Sequence, residues 1–236
     1  LVAVANPTSP DYHLFDAEKH IEELKAQLDS IMLQHKILFP ATKVSLEREL
    51  REGKFDALYF LGHGRYFSPT GGQLILEGEN RESDPLNADT LAVWLSNGLD
   101  RNTTRFVYLN SCSTAVTAAE TDIDNIFSGT AQRLIRDGKV AAVVAMQTDI
   151  GQRVALKIAV GFFEELKRGA SAEESLMLAR SRDDVSSSWG IPVLYTYLSG
   201  PENFERNRIA TLLNVQMGAS RFRFFLPSFK MIRSFL

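Results

Sequence analysis

The chain has one cysteine, Cys112, which closes the apolar run RFVYLNS; 49 residues earlier His63 closes another, ALYFLG, and stands between Gly62 and Gly64. A thiol beside an imidazole supports nucleophilic catalysis, because the thiolate is the attacking species and the imidazole handles the protons. Apolar runs of this length read as buried strands. In open parallel sheets functional groups gather at the carboxyl ends of strands, and consecutive strands are often neighbours. If these two runs pair, His63 and Cys112 meet. The glycines permit tight turns and close backbone approach, so His63 is read as ending its strand.

Taken singly, each residue has a plainer role. A lone cysteine at a strand end is commonly a small buried hydrophobe, and a histidine beside glycine is commonly a turn residue. His13, His20 and His35 stand in unrelated surroundings, and a single cysteine leaves no metal-ligand spacing, so neither a metal nor another cofactor is expected. SPTGG at 68–72 lacks the Lys-Ser/Thr ending of a phosphate loop and reads as a hairpin turn.

The elements that must position the pair alternate along the chain. LVAVAN is a strand; in FDAEKHIEELKAQLDSIM, Ile21, Leu24, Leu28 and Ile31 recur at helical spacing. HKILFP repeats the strand and TKVSLERELREG the helix, with Thr42 as N-cap and Gly53 as stop. FDALYFLGHG is the third strand. A polar excursion follows, in which GQLILEG forms a hairpin arm. Next come helix NADTLAVWLSNG, strand TRFVYLNSC, a mobile loop over 113–125, helix IFSGTAQRLIRDG and strand KVAAVVAMQ. Helix IGQRVALKIAVGFFEELKRG stops at Gly169, Ser171 and Glu174 make a capping box for AEESLMLARSRDD, and WGIPVLYTYLSG is the last strand. The prediction is an α/β fold with a mainly parallel sheet of about six strands and helices on both faces.

With 236 residues, 44% of them apolar, and a net charge of −3, the chain can bury a full core and shows no footprint for direct nucleic-acid binding. LVAVANP lacks the charged n-region and long h-region of a signal peptide, and no apolar stretch reaches the roughly 20 residues that span a bilayer. One cysteine suits a reducing compartment, so a soluble, cytoplasmic protein is expected, and from the start at Leu1 a piece of a longer chain is expected. Two segments are expected: a domain over 1–200 and a tail over 201–236. From Arg221 the tail carries Arg221, Arg223, Lys230 and Arg233 among five phenylalanines and no acid. A linker or the start of a next domain is preferred there over contact with a membrane surface.

FLGHG, YLNSCST, AAVVAMQTDI, FFEELKRGASAEESLMLARSR and WGIPVLY, in this order, resemble the CHAT domain, a bacterial branch of the caspase-like (clan CD) cysteine peptidases. The resemblance covers about residues 1 to 200. It implies the caspase-like three-layer sandwich, a His63–Cys112 dyad, and cleavage of a protein substrate by a module attached to helical repeats or other regulatory domains. The histidine-to-cysteine spacing agrees with that of caspases, but Asn110-Ser111-Cys112 stands where caspases have Gln-Ala-Cys, so aspartate specificity does not carry over. Backbone N–H groups of Gly64 and Cys112 are expected to hold the oxyanion. If the caspase-like pattern carries over, Asn110 borders the pocket for the residue before the cut, with Asp149 the nearest candidate for a charge there. The alternative is a catalytically silent interaction scaffold on the same sheet.

Overall fold

Three of the described helices start where a short polar side chain, Asp16, Thr42 or Ser171, replaces a missing backbone partner. The computed structural model of the chain describes residues 1–67, 71–96, 104, 106–111, 126–138, 140–148, 150–182 and 188–196, with the backbone alone at 66 and 126–128. Strand β1 (Val2–Val4) leads to α1 (Ala17–Ser30), where Asp16 accepts from the Lys19 N–H. After β2 (Ile37–Leu38), α2 (Lys43–Glu52) opens on a reciprocal Thr42–Ser45 capping box and ends at Gly53. Strands β3 (Ala57–Phe67), β4 (Gly71–Glu77) and β5 (Ser83–Asn87) precede α3 (Ala88–Ser96) and β6 (Phe106–Ser111). The remainder is α4 (Ile126–Arg136), β7 (Ala142–Met146), α5 (Gln152–Arg168), α6 (Ala172–Arg180) and β8 (Pro192–Thr196). Gly169 ends α5 with φ of 98°, a left-handed conformation that glycine adopts at little cost. Ser171 caps α6 by accepting from the Glu174 N–H, one half of the expected box.

The main sheet runs β2-β1-β3-β6-β7-β8, parallel throughout except for the antiparallel β7–β8 pair. Chain order reverses between β1 and β3, which makes the crevice beyond their carboxyl ends the favoured place for a ligand. Alternate side chains sort to opposite faces. Tyr59, Leu61, Phe106, Tyr108 and Val144 pack with Leu24 and Leu28 of α1 and with the buried stripes of α5 and α6. Leu58, Phe60, Val107, Leu109 and Val143 pack with Leu46 and Leu50 of α2, Leu91 and Leu95 of α3 and Leu134 of α4. This is the expected three-layer α/β sandwich on a six-stranded, mainly parallel sheet.

One element departs from expectation. Strand β3 does not end at His63: it continues for four residues, pairs antiparallel with β4, and β4 pairs with β5. The described parallel pairing with β6 runs as far as Gly62–Ser111, and from His63 onward β3 pairs with β4 of the hairpin. Phe67 and Gly71 are register partners, so the SPTGG stretch joins a hairpin as expected. Among the described residues, no helix is long and apolar enough to cross a membrane. The boundary at 200, the tail 201–236 and the stretch 113–125 lie outside the described residues.

Candidate active site

His63 is the first residue of β3 to pair with the hairpin, opposite Ile75 of β4, and it follows Gly62, whose partner on β6 is Ser111. The flanking glycines do not turn the chain, since among the described glycines only Gly71 and Gly169 have positive φ. Gly62 is required for a different reason: a Cβ there would lie 2.8 Å from the Ala5 carbonyl oxygen and 2.8 Å from Phe60 Cζ. Close approach of β1 therefore excludes a side chain, and it is sealed by the Ala5 N–H donating to the Leu61 carbonyl at 2.9 Å. Gly64 sits in the hairpin ladder opposite Leu74.

The imidazole is 3% exposed and held by rings. Tyr12 stacks on it with centroids 5.1 Å apart and planes at 27°, and Phe15 meets it edge-on at 6.0 Å. Both rings come from the loop after β1, and that loop is pinned by one asparagine. Asn6 donates from Nδ2 to the Phe15 carbonyl at 2.7 Å, and its Oδ1 accepts from the Phe15 N–H at 3.2 Å. The Asn6 N–H donates to Oε1 of Glu77, a fully buried carboxylate, at 2.8 Å. Arg81 closes the clamp, donating from Nε to Glu77 Oε2 and from Nη2 to the Asn6 carbonyl, each at 3.2 Å. Asn6, Glu77, Tyr12 and Phe15 were not singled out by sequence. A glutamate inside the apolar run GGQLILE was the available signal, because a buried carboxylate needs partners.

Asn110 is Leu61's register partner on β6 and is 1% exposed. Its Nδ2 donates to the Tyr59 hydroxyl at 2.7 Å, while its Oδ1 has no hydrogen-bond partner among the described residues. Asn110 and His63 line one pocket of about 240 Å³, whose walls include Phe15, Leu61, Ile150 and Gln152. Apart from two histidines, no ionisable side chain stands among its described lining residues. Burial holds Tyr108, below Asn110 on β6, well above the usual phenol range, with Tyr59 adding to the effect. Burial also raises Tyr12, against the opposing charge and hydrogen bond of Arg65. The phenols therefore stay neutral, and the buried Tyr108 hydroxyl has no hydrogen-bond partner among the described residues.

Of the sequence-predicted site residues, the structure brings His63 and Asn110 into one pocket and places Gly64 next along β3. Cys112 and Asp149 lie outside the described residues, although their neighbours Ser111 and Ile150 do not: Ser111 ends β6, and Ile150 lines the pocket. Among the described residues, no three His, Cys, Asp or Glu side chains form a group able to hold a metal ion.

No curated protein matches the chain. Twenty-five chains among the solved structures do. One is the Arg-specific cysteine proteinase gingipain R, similar at 11% identity and a TM-score of 0.43 over 83% of this chain. The match covers 45% of that chain, so this one spans less than half of its length. The CHAT domain family matches residues 2–185, most of the sequence. That match agrees with the family resemblance carried by FLGHG and YLNSCST: the chain belongs to the CHAT domain family.

Proposed function

We propose that the chain is a cysteine endopeptidase module that cuts a specific protein partner with a His63–Cys112 dyad. The observation that carries the reading is the β3–β6 register. Gly62 and Ser111 are partners, and the next residue after each is His63 and Cys112. Asn110, two before Cys112 in the sequence, lines one pocket with His63. In the reaction the Cys112 thiol gives its proton to His63 and its sulfur attacks the scissile carbonyl carbon, forming the S–C bond. The C–N bond breaks as the amine leaves with a proton from His63. A water, giving its proton to His63, then hydrolyses the thioester and returns the thiol. The N–H groups of Gly64 and Cys112 face the developing oxyanion.

Asn110 makes the pocket for the residue before the cut neutral, so that position accepts uncharged or varied side chains unless Asp149 supplies a charge. In this reading the peptidase domain covers 1–200, 201–236 is a basic aromatic tail or the start of a linker or next domain, and regulatory domains of the parent chain switch the module on, in signalling or defence within the cytoplasm. The test is cleavage of the protein partner by the full chain. Cys112→Ala and His63→Ala each abolish it, and the double variant is scarcely worse than either, since the two act as one unit. Undiminished cleavage by Cys112→Ala contradicts the mechanism, and the scaffold alternative then stands.

A further inference from the structure

Two residues past His63, on the same side of β3, stands Arg65. It is half-buried, and its orientation is fixed by a row of polar side chains across the hairpin. Arg65 is the register partner of Gln73, and Gln73 of Asn87. Arg65 Nε donates to Gln73 Oε1 at 2.7 Å, and Gln73 Nε2 donates to Asn87 Oδ1 at 2.5 Å. Gln73 is 5% exposed, so a buried amide is committed to aiming one cation. The Arg65 charge opposes the rise that burial causes in the Tyr12 phenol, and Tyr12 stacks on His63. Arg51, Arg81, Arg133, Arg136, Arg168 and Arg182 each hold a carboxylate. Among the described residues no carboxylate comes within 4.0 Å of Arg65, and the groups it meets, the Gln73 amide and the Phe67 ring, are uncharged.

A partly desolvated guanidinium with Nε already occupied retains its terminal N–H fork, the geometry that takes a carboxylate through two parallel bonds. Two residues of strand span about 6.6 Å, the pitch of an extended peptide. We propose that Arg65 is a subsite for an Asp or Glu of the substrate, within about two residues of the bond placed before His63. This rests on the peptidase reading for its meaning, but the subsite itself is a binding property that is measurable without turnover.

The experiment incubates the full chain carrying Cys112→Ala with a randomised peptide library and reads the bound sequences. At one position Asp and Glu are enriched about tenfold over Asn and Gln, the value of one charge-assisted pair. Arg65→Gln removes the enrichment, and Arg65→Glu moves it to Lys and Arg at the same position, an outcome that a variant unable to fold would not give. With Arg65 intact, raising salt from about 0.05 M to about 0.5 M lowers the acid enrichment, because screening weakens a half-exposed pair. Absent enrichment, enrichment unchanged by Arg65→Gln, or a flat salt response overturns the subsite. Cleavage by the chain with Cys112 restored is a separate readout. Acid enrichment dependent on Arg65 with no cleavage would refute the peptidase and leave the subsite standing.

Discussion

The two faces of the sheet are built from different materials. On the α2/α3/α4 side the core is chiefly aliphatic, with Leu46, Leu50, Leu58, Leu91, Leu109 and Leu134 fully buried. On the α1/α5/α6 side Tyr59, Phe106, Tyr108, Phe162 and Phe163 form a continuous cluster, with Phe106 stacked on Phe162 at 5.0 Å and Tyr59 on Tyr108 at 5.5 Å. Only the second face leads into the candidate site. Tyrosines offer a large apolar body with a hydroxyl at one end, so this face changes from hydrocarbon to polar along its own strands. Phe106 is wholly apolar, Tyr108 carries a phenol and Asn110 an amide, while on β3 Tyr59, Leu61 and His63 follow the same direction. The aliphatic face has no such gradient and serves as the rigid back of the site.

That contrast predicts unequal consequences of truncation. Phe162→Ala is expected to lose about 3–5 kcal/mol of unfolding free energy, and Leu50→Ala on the other face about 2–5 kcal/mol, both by denaturant unfolding. The sharper readout is kcat/KM measured where both variants remain folded. Phe162→Ala lowers it because Tyr108 and the strand carrying Asn110 rest on that ring, whereas Leu50→Ala leaves it unchanged. Equal effects on kcat/KM would erase the distinction between the faces.

A smaller effect is expected at the clamp. Glu77→Ala removes the acceptor of the buried Asn6 N–H, a loss of about 1–3 kcal/mol. Because the Asn6–Phe15 loop then loosens around His63, kcat/KM falls further than Leu50→Ala lowers it, although Glu77 does not line the pocket. An unaffected kcat/KM would show that the ring contacts to His63 are packing alone.

The smallest change concerns selection. Asn110→Asp places a carboxylate in a pocket without one among its described walls and shifts preference before the cut toward Lys or Arg, by about tenfold once desolvation offsets part of the attraction. Peptide profiling of both proteins measures it. Strict Arg preference in the unaltered protein, lost in Asp149→Ala, would assign the charge to Asp149 and contradict the role given to Asn110.

Most of the layer structure was readable from periodicity because Leu24, Leu28, Leu46 and Leu50 record the helix faces locally, and caps such as Thr42 act within three residues. The hairpin was harder to read. Continuation of β3 depends on β4 arriving beside it, and β5 contains Pro85, which argues against a central strand but is tolerated on an edge such as this one. His63 was singled out by its place at the end of an apolar run and Asn110 by the family resemblance, and the two line one pocket. Asn6 and Glu77 were not singled out, since the bond that joins them spans 71 residues and leaves no local pattern. The role of Gly62 was misread in kind: glycine is needed there for what lies against it, and the backbone itself is extended.

The central claim is that His63 activates Cys112, and thiol labelling tests it most directly. With the full chain and an electrophilic peptide probe, mass spectrometry should find the adduct on Cys112, formed quickly in the unaltered protein and many times more slowly in His63→Ala. Labelling of Cys112 at the same rate in both proteins, or no labelling while the protein partner is still cleaved, would contradict the account.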